Sequence, residues 1–179
     1  KARVFRISFT GELSYEVNVP ARYGRYVWEK FMEHGKKYNI TPYGTETMHV
    51  LRAEKGFIIV GQDTDGSVTP SDMNMDWIVS KKKEDFLGKR SYTRSDTVRH
   101  DRKKFVGLLV NDKKTILPEG SHIVEKALKQ PPMKMLGHVT SSYYSPTLGY
   151  PIALAMLKDG ISKMGEQVVI PLMNGKIIE

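Results

Sequence analysis

The sequence predicts an α+β protein, a mixed strand-and-helix segment followed by a small antiparallel β-barrel. Three observations predict it. The first sixty residues switch between period-two and helical apolar patterns. A polar, basic stretch follows. Beyond it, five short apolar runs separated by Gly, Pro or Lys carry no helical stripe. The expected organisation is a mixed segment over residues 1–90, a basic linker over 91–104 and a barrel domain over 105–179.

The elements follow in order. Phe5, Ile7 and Phe9 alternate with Arg6 and Ser8, and Tyr15, Val17 and Val19 alternate with Glu16 and Asn18. With Thr10-Gly11-Glu12-Leu13-Ser14 between them, they read as a hairpin with one buried face. A helix is expected from Arg22 to His34, striped by Val27, Trp28, Phe31 and Met32 and bounded by Pro20 and Gly35. A second should start at the cap candidate Thr45, stop at Gly56 and bury Met48 and Leu51. Residues 57–60 read as a buried strand. The barrel strands are expected over 105–110, 121–124, 136–141, 152–157 and 167–172.

With 179 residues, 40% hydrophobic and 27% charged, the chain can fill one ordinary domain or two small ones and is not dominated by disorder. The apolar runs at 57–60 and 152–157 fall far short of the roughly 20 residues that span a bilayer. Cysteine is absent, which excludes disulfides, thiolate nucleophiles and Cys-ligated zinc. No signal-peptide pattern opens the sequence, and a cytoplasmic location is expected. Starting at Lys1 directly in strand-like sequence, the chain reads as a fragment.

The net charge is +8. Most of the excess lies between Lys81 and Lys104, where ten basic residues face four acidic ones. Such a stretch is either a solvated linker or a surface for an anionic ligand or partner; nucleic acid is the least favoured, because only Phe86 and Tyr92 could stack. Asp63-Thr64-Asp65-Gly66 fails the register of a calcium loop and reads as a polar turn or a ligand-bearing one. Gly88-Lys89-Arg90-Ser91 lacks the flanking residues of a phosphate loop, and the five histidines show no metal-binding spacing. No metal site and no complete local catalytic set is expected. Glu16, flanked by Phe9 and Tyr15, could accept two parallel hydrogen bonds from a planar N–H/NH₂ edge, or be an ordinary strand carboxylate facing solvent. Arg52 has a salt bridge as its default.

Taken together, three blocks resemble the folate-dependent aminomethyltransferase fold. They are Phe9-Thr10-Gly11-Glu12-Leu13-Ser14-Tyr15-Glu16; Leu51-Arg52-Ala53-Glu54-Lys55-Gly56 with Gly61-Gln62-Asp63 and Thr69-Pro70; and Thr140-Ser141-Ser142 with Ser145-Pro146-Thr147-Leu148. Glycine cleavage T-proteins usually carry Arg where this chain has Met48. The run from Pro42 to Gly56, the lysines 81–83 and Tyr144 to Gly149 are most similar to the alpha subunits of heterotetrameric sarcosine oxidases. T-protein and dimethylglycine oxidase remain the neighbouring alternatives, and a non-catalytic basic nucleic-acid or subunit-binding module is the alternative of a different class.

The resemblance implies that residues 1–90 are the C-terminal part of a folate-binding domain. It implies tetrahydrofolate as the cofactor of this module, with FAD, FMN and NAD elsewhere in the parent enzyme. The parent oxidises sarcosine at a flavin, the one-carbon unit passes to tetrahydrofolate as 5,10-methylenetetrahydrofolate, and glycine and hydrogen peroxide leave. It further implies that Glu16 grips the pterin, with Phe9 and Trp77 beside the folate and Arg52 either structural or orienting the site. The Asp associated with catalysis in the family precedes the hairpin block and is not in this chain. The isolated segment is therefore expected to lack transferase activity and to expose apolar surface where the rest of the module packs. Expected partners are that missing part of the polypeptide and the other oxidase subunits.

Overall fold

The computed structural model describes all residues, Lys1 to Glu179. Contacts divide the chain into two compact units, Lys1–Phe57 and Ile58–Glu179. No helix is long and apolar enough to cross a membrane.

In the first unit a short antiparallel ribbon pairs β1 (Arg3–Phe5) with β2 (Glu16–Asn18), in the register Phe5 opposite Glu16 and Val4 opposite Val17. The expected hairpin is present but shorter, and its apolar residues are not buried: Ile7, Phe9 and Tyr15 stay exposed. A two-stranded ribbon offers no second layer to cover them. One 3₁₀ turn over Ala21–Tyr23 leads into α1 (Gly24–Gly35), and α2 spans Thr45–Glu54. Helix α1 has its stripe in the expected phase, yet none of its residues is buried, and Trp28 and Phe31 are about half exposed. Helix α2 is capped by the extended Gly44, without a side-chain cap, so Thr45 is its first residue and not its cap. It buries Arg52 and Ala53, whereas Met48 and Leu51 are only half-buried.

Residues 57–60 do not form the expected buried strand. Gly56 and Gly61 both adopt positive φ and turn the chain on either side of them, leaving Phe57 and Val60 exposed.

The second unit contains an antiparallel barrel. A four-stranded sheet has the order β3–β6–β5–β4, formed by β3 (Lys103–Leu109), β4 (His122–Val124), β5 (Met135–Ser145) and β6 (Tyr150–Lys158). The ribbon of β7 (Ile170–Pro171) and β8 (Ile177–Ile178) continues it, because Val124 bridges to Val169. At the other side the Asn111 N–H donates to the Glu179 carbonyl at 3.2 Å, bringing β8 back to the end of β3. Backbone hydrogen bonds thus run round the barrel and leave little open edge. Four of the five expected strands appear with longer bounds or bounds within two residues; the fifth shrinks to β7, and β8 is additional.

The core is Val106, Val110, Leu117, Ile123, Val139, Ala153, Ala155, Leu157, Ile170 and Ile178. Every residue from Pro151 to Leu157 is buried, because β6 lies between two strands and both of its faces are covered. Gly137 is required where β5 meets β6: a Cβ there would collide with the Met156 carbonyl.

The compositional change at 91–104 does not coincide with the break in contacts at Phe57/Ile58. Residues 58–75 are polar and irregular, but they are tied to the barrel by two buried aspartates described below. The end of the basic stretch is likewise not a solvated linker: Lys103 and Lys104 are already in β3, and the Arg102 side chain is only 11% exposed.

Candidate functional site

In the first unit, two of the sequence blocks meet. The Gly11 backbone, at φ +83°, lies against the Lys55 side chain so closely that any Cβ would overlap it. Glu12 pairs with the Lys55 ammonium at 3.4 Å. The Phe9 ring lies 6.4 Å from the His49 ring, tilted by 47°. The turn carrying Phe9 to Glu12 is therefore held on α2 and its C-terminal end. Arg52 is fully buried, and its Nη1 donates to the Phe57 carbonyl at 3.1 Å, while the Phe57 N–H donates to the Arg52 carbonyl at 2.8 Å. This reciprocal pair closes the turn at Gly56 and fixes the end of the helix.

Glu16 opens β2, exposed, with no hydrogen bond or ion pair engaging its carboxylate. Both oxygens are open to a planar donor edge, so the residue type and its surroundings fit a pterin ring. Phe9 keeps 38% of its surface exposed and can offer a ring face. Trp77 belongs to the second unit, on a 3₁₀ turn over Asp76–Ile78, and is 77% exposed. Glu16, Phe9 and Arg52 thus share one unit, and Trp77 does not.

The second unit brings together blocks that the sequence only sets in order. Asp63 is buried (1% exposed) and accepts hydrogen bonds from the Thr140 hydroxyl at 2.5 Å, the Ser141 hydroxyl at 2.7 Å and the Ile59 N–H at 2.8 Å. Thr140 and Ser141 are adjacent and would ordinarily point to opposite faces of a strand. Here β5 carries a bulge: Val139 pairs with Ala155 and Ser141 with Leu154, so Thr140 is the extra residue and both hydroxyls reach one carboxylate. Gln62 adds donors to the Ser141 hydroxyl, the Thr140 carbonyl and Glu119. The sequence read Asp63 as part of a polar turn; the turn is there, but the carboxylate points inward.

Asp72 is the second buried aspartate (2% exposed). Arg102 reaches it with Nε at 2.9 Å to Oδ1 and Nη2 at 2.6 Å to Oδ2, and Thr69 donates to Oδ2 from both its N–H and its hydroxyl at 2.9 Å. Burial pushes the Asp72 carboxyl up, but the Arg102 and Thr69 hydrogen bonds and the Arg102 charge outweigh it and hold it below the usual range. Arg102 also binds Asp96 at 2.7 Å and the Ser67 carbonyl at 2.7 Å.

Between these anchors lies an open cleft of about 390 Å³, lined among others by Gln62, Asp65, Arg99, Lys103, His138 and Met156. Burial, followed by the Lys103 charge, lowers the His138 pKa, so the ring is neutral at neutral pH. No cluster of three or more His, Asp or Glu suits a metal ion. Neither buried aspartate is assigned a structural role by the sequence: Asp63 closes the Gly61-Gln62-Asp63 block, and Asp72 lies two residues beyond Thr69-Pro70.

A mixed helix-and-strand segment ahead of a closed antiparallel barrel, with the blocks tied in this way, is the aminomethyltransferase fold. Residues 1–83 match the GCVT N-terminal domain and residues 103–179 the glycine cleavage T-protein C-terminal barrel domain, and the chain belongs to that family. The solved aminomethyltransferase T of the glycine cleavage system from Bartonella henselae has the same fold, with a TM-score of 0.80 at 24% identity over 98% of this chain and 46% of that one. Within the family the chain is 52% identical over 181 aligned residues to the sarcosine oxidase subunit alpha of Corynebacterium sp. (strain P-1), and 41% identical over 167 to that of Rhizobium meliloti (strain 1021). It is 30% identical over its full length to the aminomethyltransferase of Thermotoga petrophila. It spans 18% and 17% of the two alpha subunits and 46% of that aminomethyltransferase.

Proposed function

We propose that this chain is a segment of a sarcosine oxidase alpha subunit and contributes to its tetrahydrofolate site. The observation that supports this most is the 52% identity running along the whole chain, against 30% to the aminomethyltransferase of the glycine cleavage type. In this reading the parent, a cytoplasmic heterotetramer carrying FAD, FMN and NAD, oxidises sarcosine to an iminium. Tetrahydrofolate, when bound, supplies the nitrogen nucleophiles that take up the one-carbon unit as 5,10-methylenetetrahydrofolate. Glycine is released, and reoxidation by oxygen gives hydrogen peroxide. The folate domain takes in residues 1–90 and the barrel domain 105–179; the stretch 91–104 lies between them in sequence, and its end is folded, with Arg102 on Asp72 and Lys103 and Lys104 in β3.

Glu16 is the residue of this chain that grips the pterin N3–H and 2-amino group: its carboxylate is exposed and unengaged, on a ribbon whose turn is clamped to α2. Phe9, on the same unit, contributes a ring face. Arg52, being buried, is a positioning residue that holds the α2 end under the Phe9 turn. The test titrates tetrahydrofolate into the longer polypeptide containing the whole folate domain. Glu16→Gln replaces one acceptor oxygen with a donor and should cost on the order of 2 kcal/mol, about thirtyfold in Kd. Equal affinities would return Glu16 to an exposed strand carboxylate. Incubated alone with tetrahydrofolate and a one-carbon donor, the 179-residue chain should form no methylenetetrahydrofolate; formation would overturn the assignment of catalysis to residues outside it.

A further inference from the structure

We propose that residues 81–98 form a docking surface for an acidic protein partner that carries apolar side chains among its carboxylates. The basic stretch divides into two halves with different work. Arg99 pairs with Asp96 and Asp101, Arg102 with Asp72 and Asp96, and the Lys104 ammonium lies 3.8 Å from Asp72. Those charges are consumed inside the unit. Lys81, Lys82, Lys83, Lys89, Arg90 and Arg94 are exposed, and none has a carboxylate within ion-pair distance.

From Gly88 onward the segment that carries these cations is held in place, and the Lys89 ammonium donates to the Glu84 carbonyl. The Thr97 hydroxyl donates to the Ser91 and Arg94 carbonyls at 2.5 and 3.0 Å, and Arg102 holds Asp96. Gly88, Ser91, Arg94 and Thr97 line the same hollow as Val68 and Thr69, so the segment is seated on its own unit. Charges already fixed in place bind a complementary surface with little ordering cost.

Three features select a protein over a nucleic acid. Leu87 is fully exposed and Val98 half exposed, contacts that a phosphate backbone does not reward. Phe86 and Tyr92 are half-buried, Tyr92 beside Asp76, and are not presented for base stacking. Glu84 and Asp85 stand among the lysines, where they would repel phosphates but can pair with basic residues of a mixed-charge interface. The surface also lies largely between the two family segments, which end at 83 and resume at 103, and it does not depend on the folate reading.

The test uses three fluorescein-labelled probes titrated with the 179-residue chain: a 20-residue Glu-Glu-Leu repeat peptide, an all-Glu peptide of equal length and a mixed-sequence DNA duplex. At 150 mM salt the Glu-Glu-Leu peptide should bind at least about fivefold more tightly than all-Glu, and Leu87→Ser should remove that difference. The triple variant Lys81→Glu, Lys82→Glu, Lys83→Glu, all at exposed positions, should weaken both peptides by about tenfold or more. Equal binding of the two peptides, an unaffected triple variant, or tighter binding of the DNA than of either peptide would each overturn the proposal.

Discussion

Replacing Arg102 with methionine is expected to lower the stability of the barrel-containing unit by about 3–5 kcal/mol at neutral pH, the usual result of removing one partner from a buried ion pair. Methionine retains most of the stem's packing but none of the donors. Asp72, 2% exposed, would keep only Thr69 and a lysine 3.8 Å away. The loop over 67–75 would loosen as well, since Arg102 also holds the Ser67 carbonyl and the Phe105 N–H bonds the Asp72 carbonyl at 2.8 Å.

The pH dependence distinguishes a lost charge partner from simple loss of packing. In the native chain the Asp72 carboxyl is held below its usual range, so its contribution is present above the unfolded value near pH 4 and is lost as pH falls through the lower folded value. Without Arg102, burial pushes the same carboxyl upward, and the folded variant takes up a proton more readily than the unfolded one. Its deficit should therefore be largest at pH 7 and shrink towards pH 4. Adding Asp72→Asn to Arg102→Met should recover part of the loss at pH 7 by removing the stranded charge. Urea unfolding at pH 7 and pH 4 measures both effects. A deficit that does not change with pH, with no recovery in the double variant, would assign the role of Arg102 to packing alone.

The barrel was legible in the sequence because each strand is short, apolar and bounded by turn residues, and because β6 reads as a continuous apolar run. The helices were legible from their stripes to within a few residues. The run at 57–60 misled for the opposite reason: four apolar residues between glycines satisfy the pattern of a buried strand, but two positive-φ turns leave no partner to pair with. Burial in the first unit was likewise illegible, since amphipathic spacing reports which side of α1 seeks cover and not whether this chain supplies it. The half-exposed Trp28 and Phe31 fit a helix whose covering layer belongs to another part of the protein. For the candidate site, residue type left Glu16 open between a donor-edge acceptor and an ordinary strand carboxylate, and only the resemblance of its block pointed to a ligand. Neither could reveal that Gly11 and Lys55 lock the adjoining turn, because that contact joins positions forty-four apart.

Asp63→Ala should be nearly as damaging as the loss of Arg102, at about 3–5 kcal/mol, because two hydroxyls and a backbone N–H converge on its buried carboxylate. Three donors converge on one carboxylate, and each donor left buried without an acceptor costs about 1–3 kcal/mol. The bulge at Thr140 makes the loss hard to absorb. Its effect in the fold is to turn two successive hydroxyls onto the same face, so without Asp63 the Thr140 hydroxyl falls back on the Leu154 carbonyl at 3.2 Å and the Ser141 hydroxyl loses the carboxylate they share. Asp63→Asn keeps one acceptor oxygen and lets the hydroxyls rotate to accept from its amide, so it should lose less than half as much. Serine at 140 should be tolerated, because it preserves the hydroxyl, whereas Thr140→Val removes it at constant shape and leaves the carboxylate one donor short. Thermal and urea unfolding of the four variants gives the order: Asp63→Ala lowest, then Thr140→Val, then Asp63→Asn, with Thr140→Ser near the native chain. An Asp63→Ala variant within about 1 kcal/mol of native would mean that water replaces the carboxylate, and that the remaining contacts of the loop over 58–75, those of Gln62, Asp72 and Asn74, suffice to hold it on the barrel.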